Sequence, residues 1–211
     1  MTMSKNIQSR YSASFTAGSL LHKEITALLP LLQAENAEEV VRDEIKKNEL
    51  LHINSESARK RIVYEIFKRT QSVEQEFWPF YGNSNQGEQK LLLFYLCLKT
   101  YPLMFDFHFN ITVKQWNTSS QLIEPYYYQM ELEEIAIRDE TVDKWTDTTK
   151  RKAISVYLRI LKEIRLIDDN NKLRSINMSE LFWRFFVSNK KYWFLDACLL
   201  SNSEKERMMT L

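Results

Sequence analysis

The chain has 211 residues, 44% hydrophobic and 13% aromatic, and its 29 Lys and Arg against 28 Asp and Glu leave a net charge of +1. That apolar content suffices for one large core or two small ones and excludes a largely disordered chain. The longest apolar run, residues 91–98, falls far short of the roughly twenty residues that a transmembrane helix needs.

Only Gly18, Gly82 and Gly87 are glycines, which excludes P-loops, dinucleotide-binding turns and nucleophile elbows, because each needs glycine where the backbone meets a phosphate or turns sharply. The first ten residues are polar, with no apolar signal-peptide core, so a cytoplasmic chain is expected. Cys97 and Cys198 have no partner at metal or redox spacing and read as small buried hydrophobes. His22, His52 and His108 stand singly, so neither a metal nor a cofactor is expected. A net charge near zero argues against a nucleic-acid ligand at the level of the whole chain.

In chain order, Thr16 or Ser19 caps a first helix to about Gln33, with Leu20, Leu21, Ile25, Leu28 and Leu29 inward and Pro30 kinking or ending it. Asn36 caps a second over residues 37–47, acidic in its first turn and basic in its last. After a connection at 48–54, Ser55 or Ser57 caps a third helix to about Ser72. Helices two and three resemble a helix-turn-helix, although the connection exceeds the usual three or four residues. Residues 1–80 thus read as an N-terminal helical domain.

Residues 81–211 read as a C-terminal helical domain. Around their start, 77–87 is rich in turn residues and reads as an irregular connector. An apolar helix over 88–100 stops at Pro102, and 104–112 fits either a short strand or a helix. Helices are expected over 125–138 and 146–164. The turn cluster Asp168-Asp169-Asn170-Asn171-Lys172 between two apolar patches reads as a small hairpin. Aromatic helices over 179–188 and 192–200 follow, with a frayed tail after Ser201. The fold class is therefore mainly α: a multi-helix bundle with helix-turn-helix-like elements and a small β-hairpin wing, the winged-helix-like segment being 144–178.

Charge is partitioned along this second half. Residues 131–143 hold six acids and one base, whereas 144–165 hold seven bases and two acids. At 100° per residue the helix from Thr146 buries Ile154, Tyr157, Leu158, Ile160, Leu161 and Ile164. Thr148, Arg151, Lys152, Ser155, Arg159 and Lys162 lie opposite, with Lys150 nearby. A basic helix followed by a hairpin is the layout of a winged helix: the helix enters the major groove, cations neutralise phosphates and hydroxyls bond phosphate or base edges. The helix from Ser57 offers a second basic patch: Arg61 and Lys68 share an exposed side with Tyr64, Lys60 stands nearby, Arg59 and Arg69 flank the apolar Ile62 and Ile66, and Glu65 interrupts it; Arg59, Lys60, Arg61 and Lys68 are the candidate contacts. A solvated surface helix with ion pairs to the acidic second helix is the alternative there.

Other candidates read as structural. Tyr126, Tyr127 and Tyr128 point in three directions on a helix, so base stacking is less expected than core packing. Phe182, Trp183, Phe185 and Phe186 belong in a core or against a partner. Asp106 and His108 share a strand face with no nucleophile in view, and the acids Glu133, Glu134, Asp139 and Glu140 read as a solvated helix rather than a cation site. No enzymatic activity is expected.

The segment Tyr11-Ser12-Ala13-Ser14-Phe15-Thr16-Ala17-Gly18-Ser19-Leu20-Leu21 followed by Glu24, then Ser57-Ala58-Arg59-Lys60-Arg61-Ile62 through Lys68-Arg69, Asp106, Trp145-Thr146-Asp147-Thr148-Thr149-Lys150-Arg151-Lys152, Leu161 and Leu166-Ile167 together resemble the BrxA family, a small component of BREX bacteriophage-exclusion systems. The resemblance implies a helical, non-enzymatic protein that binds double-stranded DNA beside other BREX proteins: a methyltransferase, an ATPase and a phosphatase-like protein. It implies nothing about which residues touch DNA. Where the family tends to have glycine before the Leu-Ile pair, this chain has Arg165, for which a left-handed conformation is costly by roughly a kilocalorie, so a different turn into the hairpin is expected. The competing expectation is an assembly adaptor whose basic faces dock acidic partner proteins and whose aromatic C-terminal helices form the interface.

Overall fold

The computed structural model describes residues 9–71, 73–74 and 76–210. A 3-10 turn at Ser14–Ala17 precedes α1 (His22–Leu32), α2 (Ala37–Lys47), α3 (Glu56–Thr70), α4 (Phe77–Asn83) and α5 (Gln86–Thr100). Then come α6 (Pro102–Asp106), a π-helical segment (Phe107–Thr112), α7 (Val113–Trp116), α8 (Pro125–Arg138), α9 (Glu140–Asp143) and α10 (Asp147–Glu163). Three further helices, α11 (Glu180–Ser188), α12 (Trp193–Ala197) and α13 (Asn202–Met209), complete the described chain.

The fold is mainly helical, and its centre is α5. Leu91, Leu92, Leu93, Phe94, Tyr95, Leu96, Cys97 and Leu98 are all buried, as a helix apolar on every side must be. Asn85 and Glu88 form a reciprocal capping box that starts it. Helices α1, α3, α4 and α6 pack around it, and α10 lies against α8 and the 3-10 turn. The predicted end of the third helix, Ser72, lies outside the described residues; α3 ends at Thr70.

Several expectations are corrected. The presumed connector at 77–87 contains α4, because Pro79 falls in its first turn, where a missing N–H costs nothing. Of the two readings open for 104–112 the helix holds, since residues 102–116 are helical with a wider π turn in the middle. The first helix starts at His22, after Leu21 at φ 58°, rather than at Thr16 or Ser19, and Pro30 sits inside its last turn. Residues 202–209, expected to fray, form α13 instead: Ser201 and Glu204 form a capping box, Met208 is buried, and Lys205 pairs with Asp196 at 2.7 Å.

The expected hairpin wing forms no strand among the described residues. Two isolated antiparallel bridges stand in its place, Ile167 with Leu173 and Leu122 with Lys172. They tie residues 121–123 and 166–168 to either side of 171–174, through bonds such as Leu173 N–H to Gln121 C=O at 2.8 Å and Arg174 N–H to Leu166 C=O at 2.8 Å. Arg165 takes φ 60°, so the turn out of α10 keeps the left-handed geometry despite its side chain.

Candidate nucleic-acid interface

Thr146 caps α10 by accepting from Thr149 N–H at 3.2 Å. Ala153, Ile154, Val156, Tyr157, Ile160 and Leu161 are buried, which leaves Thr148, Arg151, Lys152, Ser155, Arg159 and Lys162 exposed and Lys150 half-buried. The predicted partition of this helix holds except at Leu158, which is half-buried rather than buried. Among the described residues, Arg151, Lys152, Arg159 and Lys162 enter no ion pair. Some exposed cations elsewhere do, Lys60 with Glu56, Lys144 with Glu140 and Arg42 with Glu38, while others such as Arg61 do not.

Three of these cations border an open groove of about 520 Å³. Pro125 and Gln129 of α8 line one side, Ile154 and Leu158 contribute apolar surface, Arg151, Ser155, Arg159 and Lys162 line the α10 side, and Asn171 also borders it. Sequence periodicity gave the α10 side but not the groove, because the second wall comes from a helix some twenty residues away in sequence. Asn171 belongs to the 168–171 turn, in which the Asp168 carboxylate accepts from Asn170 N–H at 2.9 Å, Lys172 N–H at 3.0 Å and the Arg174 guanidinium at 2.8 Å. The hydrogen bond from Arg174, then those from the backbone, hold Asp168 below the usual carboxylate range.

The second basic face is smaller than the sequence suggests. Arg59 is buried, its guanidinium donating to the carbonyls of Ile45 at 2.6 Å, Ile53, and Asn54 at 3.2 Å. It pins the α2–α3 connection and leaves the set of exposed cations. Lys68 is half-buried, donates to Ser14 Oγ at 3.1 Å and lies over the Tyr101 ring at 4.9 Å. Lys60 and Arg61 remain exposed beside Tyr64. The interrupting Glu65 is itself buried and accepts from the Tyr101 hydroxyl.

Asp106 and His108 are not brought together. Asp106 accepts from Arg10 at 2.8 Å and Tyr11 at 2.7 Å. His108 is buried, with Nε2 2.8 Å from the Ala197 carbonyl and Nδ1 2.8 Å from the Tyr157 hydroxyl, and desolvation lowers its pKa to about 4. Tyr126 is exposed, Tyr127 half-buried and Tyr128 buried. Phe182, Trp183, Phe185 and Phe186 are buried core residues, whereas Leu181 and Tyr192 of the same region stay exposed.

Comparison with known proteins bears on the same stretch. The chain is 22% identical over 166 residues to a protein named BREX protein BrxA from Bacillus cereus (strain H3081.97), covering 79% of this chain and 83% of that one. It is 23% identical over 194 residues to another of that name from Paramagnetospirillum magneticum (strain ATCC 700264 / AMB-1), covering 91% and 98%. Its fold is similar to a crystal structure of an uncharacterized protein from Magnetospirillum magneticum, with a TM-score of 0.73 at 22% identity over 90% of this chain and 98% of that one. The BrxA family profile matches residues 9–190, a stretch that takes in α3, α10 and both walls of the groove, and on that match the chain belongs to the BrxA family.

Proposed function

We propose that this chain is a non-enzymatic component of a BREX phage-exclusion system that binds double-stranded DNA, chiefly through α10. The relatives named BREX protein BrxA support the system. The observation that carries the DNA reading is the face of α10, where four exposed cations and two hydroxyls stand together, none of the cations in an ion pair among the described residues and Asp147 the one acid beside them, a turn before Arg151. On α3 and α2 one cation each is paired at i,i+4, Lys60 with Glu56 and Arg42 with Glu38, whereas none on this face of α10 is. Unpaired cations on one face suit a polyanion, whose condensed counterions they release on binding.

The order of elements supports a winged-helix reading of this region. The π segment with α7, the bridge residue Leu122, α8, the short α9, α10 and the bridge residues on either side of the 168–171 turn follow the order of a winged helix, with isolated bridges in the place of its strands and α9 as an added turn between its helices. In that arrangement α10 enters the major groove and the turn approaches the backbone. Its tip carries Asp169 and Asn170, so Lys172 is the residue there suited to a phosphate. Thr148, Lys150, Arg151, Lys152, Arg159 and Lys162 are the proposed contacts, with Lys60, Arg61 and Lys68 a secondary patch.

A salt-titrated anisotropy assay with several unrelated duplexes tests the reading. Binding at about 50 mM salt that weakens steeply on salt addition is expected; no binding to any duplex at that salt overturns it.

A further inference from the structure

The inner face of α8 carries a carboxylate where its period calls for an apolar side chain. Glu131 continues the buried row of Tyr128, Leu132 and Ile135 and is only 6% exposed. Its Oε1 accepts from Asn110 Nδ2 at 2.8 Å, and among the described residues no ion pair and no second hydrogen bond reaches it. A buried carboxylate without a cation is costly, since one amide replaces only part of its lost hydration. The free oxygen, Oε2, is not sealed in protein as the unpartnered Ser19 Oγ and Glu74 Oε2 are. It opens on a cavity of about 280 Å³ that Glu131 lines, between α8 and the π segment with α7.

The rest of the lining shares one chemistry. Asn110 and Gln115 turn their amide nitrogens to Glu131 and Ser120, which leaves both amide oxygens as acceptors without a donor. Glu134, exposed and in no ion pair among the described residues, adds a second carboxylate about one turn along α8. Tyr127 and Met130 supply an aromatic ring and a thioether, and Lys114, exposed on α7, is the one cation of the lining. Acceptors around an aromatic wall match a guanidinium, which has five N–H donors, no acceptor and a flat face that stacks on a ring. The volume lies just below the roughly 300 Å³ at which pockets for whole small-molecule ligands begin, so it suits one long side chain. Among the described residues no group of three His, Cys, Asp or Glu is placed to hold a metal. π turns often accompany functional sites, and the one at Phe107–Thr112 brings Asn110 and Ile111 to this cavity.

We infer that the cavity between α8 and the π segment receives an arginine side chain of a partner protein, with Glu131 and Glu134 pairing with the guanidinium and Tyr127 stacking on it. The α-carboxylate of a free amino acid would meet the same acidic lining, which favours arginine within a polypeptide. At 100° per residue, Tyr127, Met130, Glu131 and Glu134 centre about 170° round α8 from Pro125 and Gln129 of the α10 groove. The partner and a duplex on α10 therefore use opposite sides of α8, and the inference stands apart from the DNA reading.

Two-dimensional amide NMR on the isotope-labelled full chain, titrated with N-acetyl-arginine methylamide, tests this. Saturable shifts centred on Asn110, Gln115 and Tyr127 are expected, with a Kd of about 1–10 mM, as suits a single side chain. The lysine analogue binds at least about fivefold more weakly, because an ammonium lacks the planar fork that bridges two carboxylates. The citrulline analogue, similar in shape but neutral, does not saturate. Glu134→Gln, at an exposed position, weakens the arginine analogue about threefold, and Glu131→Gln, which keeps an acceptor for Asn110, weakens it about tenfold with the rest of the spectrum unchanged. Lys114→Gln strengthens it by removing a like charge from the lining. No saturation below about 50 mM overturns the inference, as do equal shifts from the citrulline analogue or unchanged affinity in both glutamine variants. Free L-arginine binding at least about tenfold more tightly than the blocked form makes this a small-molecule site and overturns the partner.

Discussion

Tyr157, on the buried side of α10, places its hydroxyl 2.8 Å from Nδ1 of His108 in the π segment. Nε2 faces the Ala197 carbonyl, an acceptor only, so Nε2 carries the hydrogen and the Tyr157 hydroxyl donates to Nδ1. Thr112 Oγ1 lies 2.8 Å from Tyr157 Oη and 2.9 Å from Tyr128 Oη, which extends the chain of hydroxyls to α8. The basic helix is thus fixed from behind by a buried polar relay that requires neutral imidazole.

That requirement has a pH signature. The His108 pKa falls from about 6.5 to about 4 on folding because burial disfavours the cation. A depressed folded pKa means the unfolded chain binds the proton first, so stability is fully present above about 6.5 and declines as pH falls toward 4, by about 3 kcal/mol across the window. Urea unfolding at several pH values checks this. His108→Leu flattens the dependence between those limits and lowers stability at pH 7, since Tyr157 Oη then lacks its acceptor.

Arg59→Met is expected to destabilise by about 3 kcal/mol, because it strips the carbonyls of Ile45, Ile53 and Asn54 of a shared charged donor. Arg61→Met, at an exposed cation in no ion pair among the described residues, changes stability by less than about 0.5 kcal/mol. Denaturant midpoints of the two variants, measured side by side, separate a structural arginine from a surface one.

These two arginines also mark where the sequence was legible. Composition and periodicity identified α5, α10 and the exposed set on α10, because each depends on residues a few positions apart, although Asn85, whose capping box with Glu88 starts α5 two residues earlier, was read as part of the connector. Arg59 was misread because its acceptors lie in the connection and in α2, up to 14 residues away. α4 was hidden by Pro79, a turn signal that a first helical turn tolerates. The π segment shifts the period just where strand and helix readings compete. On α8, only the packed structure reveals that Tyr126, Met130 and Ile137 stay exposed.

At the end of α10 the chain closes a Schellman motif: Leu166 N–H bonds Leu161 C=O at 2.9 Å and Arg165 N–H bonds Lys162 C=O at 3.0 Å, with Arg165 at φ 60°. A side chain in that region costs roughly 1–2 kcal/mol, partly offset by the greater freedom glycine gives the unfolded chain. Arg165→Gly is therefore expected to stabilise by about 0.5–1 kcal/mol. Thermal unfolding at matched salt reads it, and an unchanged or lowered midpoint contradicts the strain.

The last prediction concerns how the α10 face divides its work. Arg151 and Lys152 occupy its N-terminal half, Arg159 and Lys162 its C-terminal half beside Asn171 of the turn. In a winged-helix docking both pairs meet phosphates, and each phosphate contact contributes about 0.9 to the slope of log K against log salt. Arg151→Ala with Lys152→Ala is thus expected to reduce that slope by nearly two, with affinity lowered alike on every duplex. Arg159→Ala with Lys162→Ala should do the same if the groove follows the backbone. All four side chains are exposed and enter no ion pair among the described residues, so stability stays within about 0.5 kcal/mol of the parent in each case. Anisotropy titrations at four salt concentrations supply the slopes. Parental slopes in both variants would move the DNA contact off α10, whereas a loss confined to the first pair would confine it to the N-terminal half of the helix.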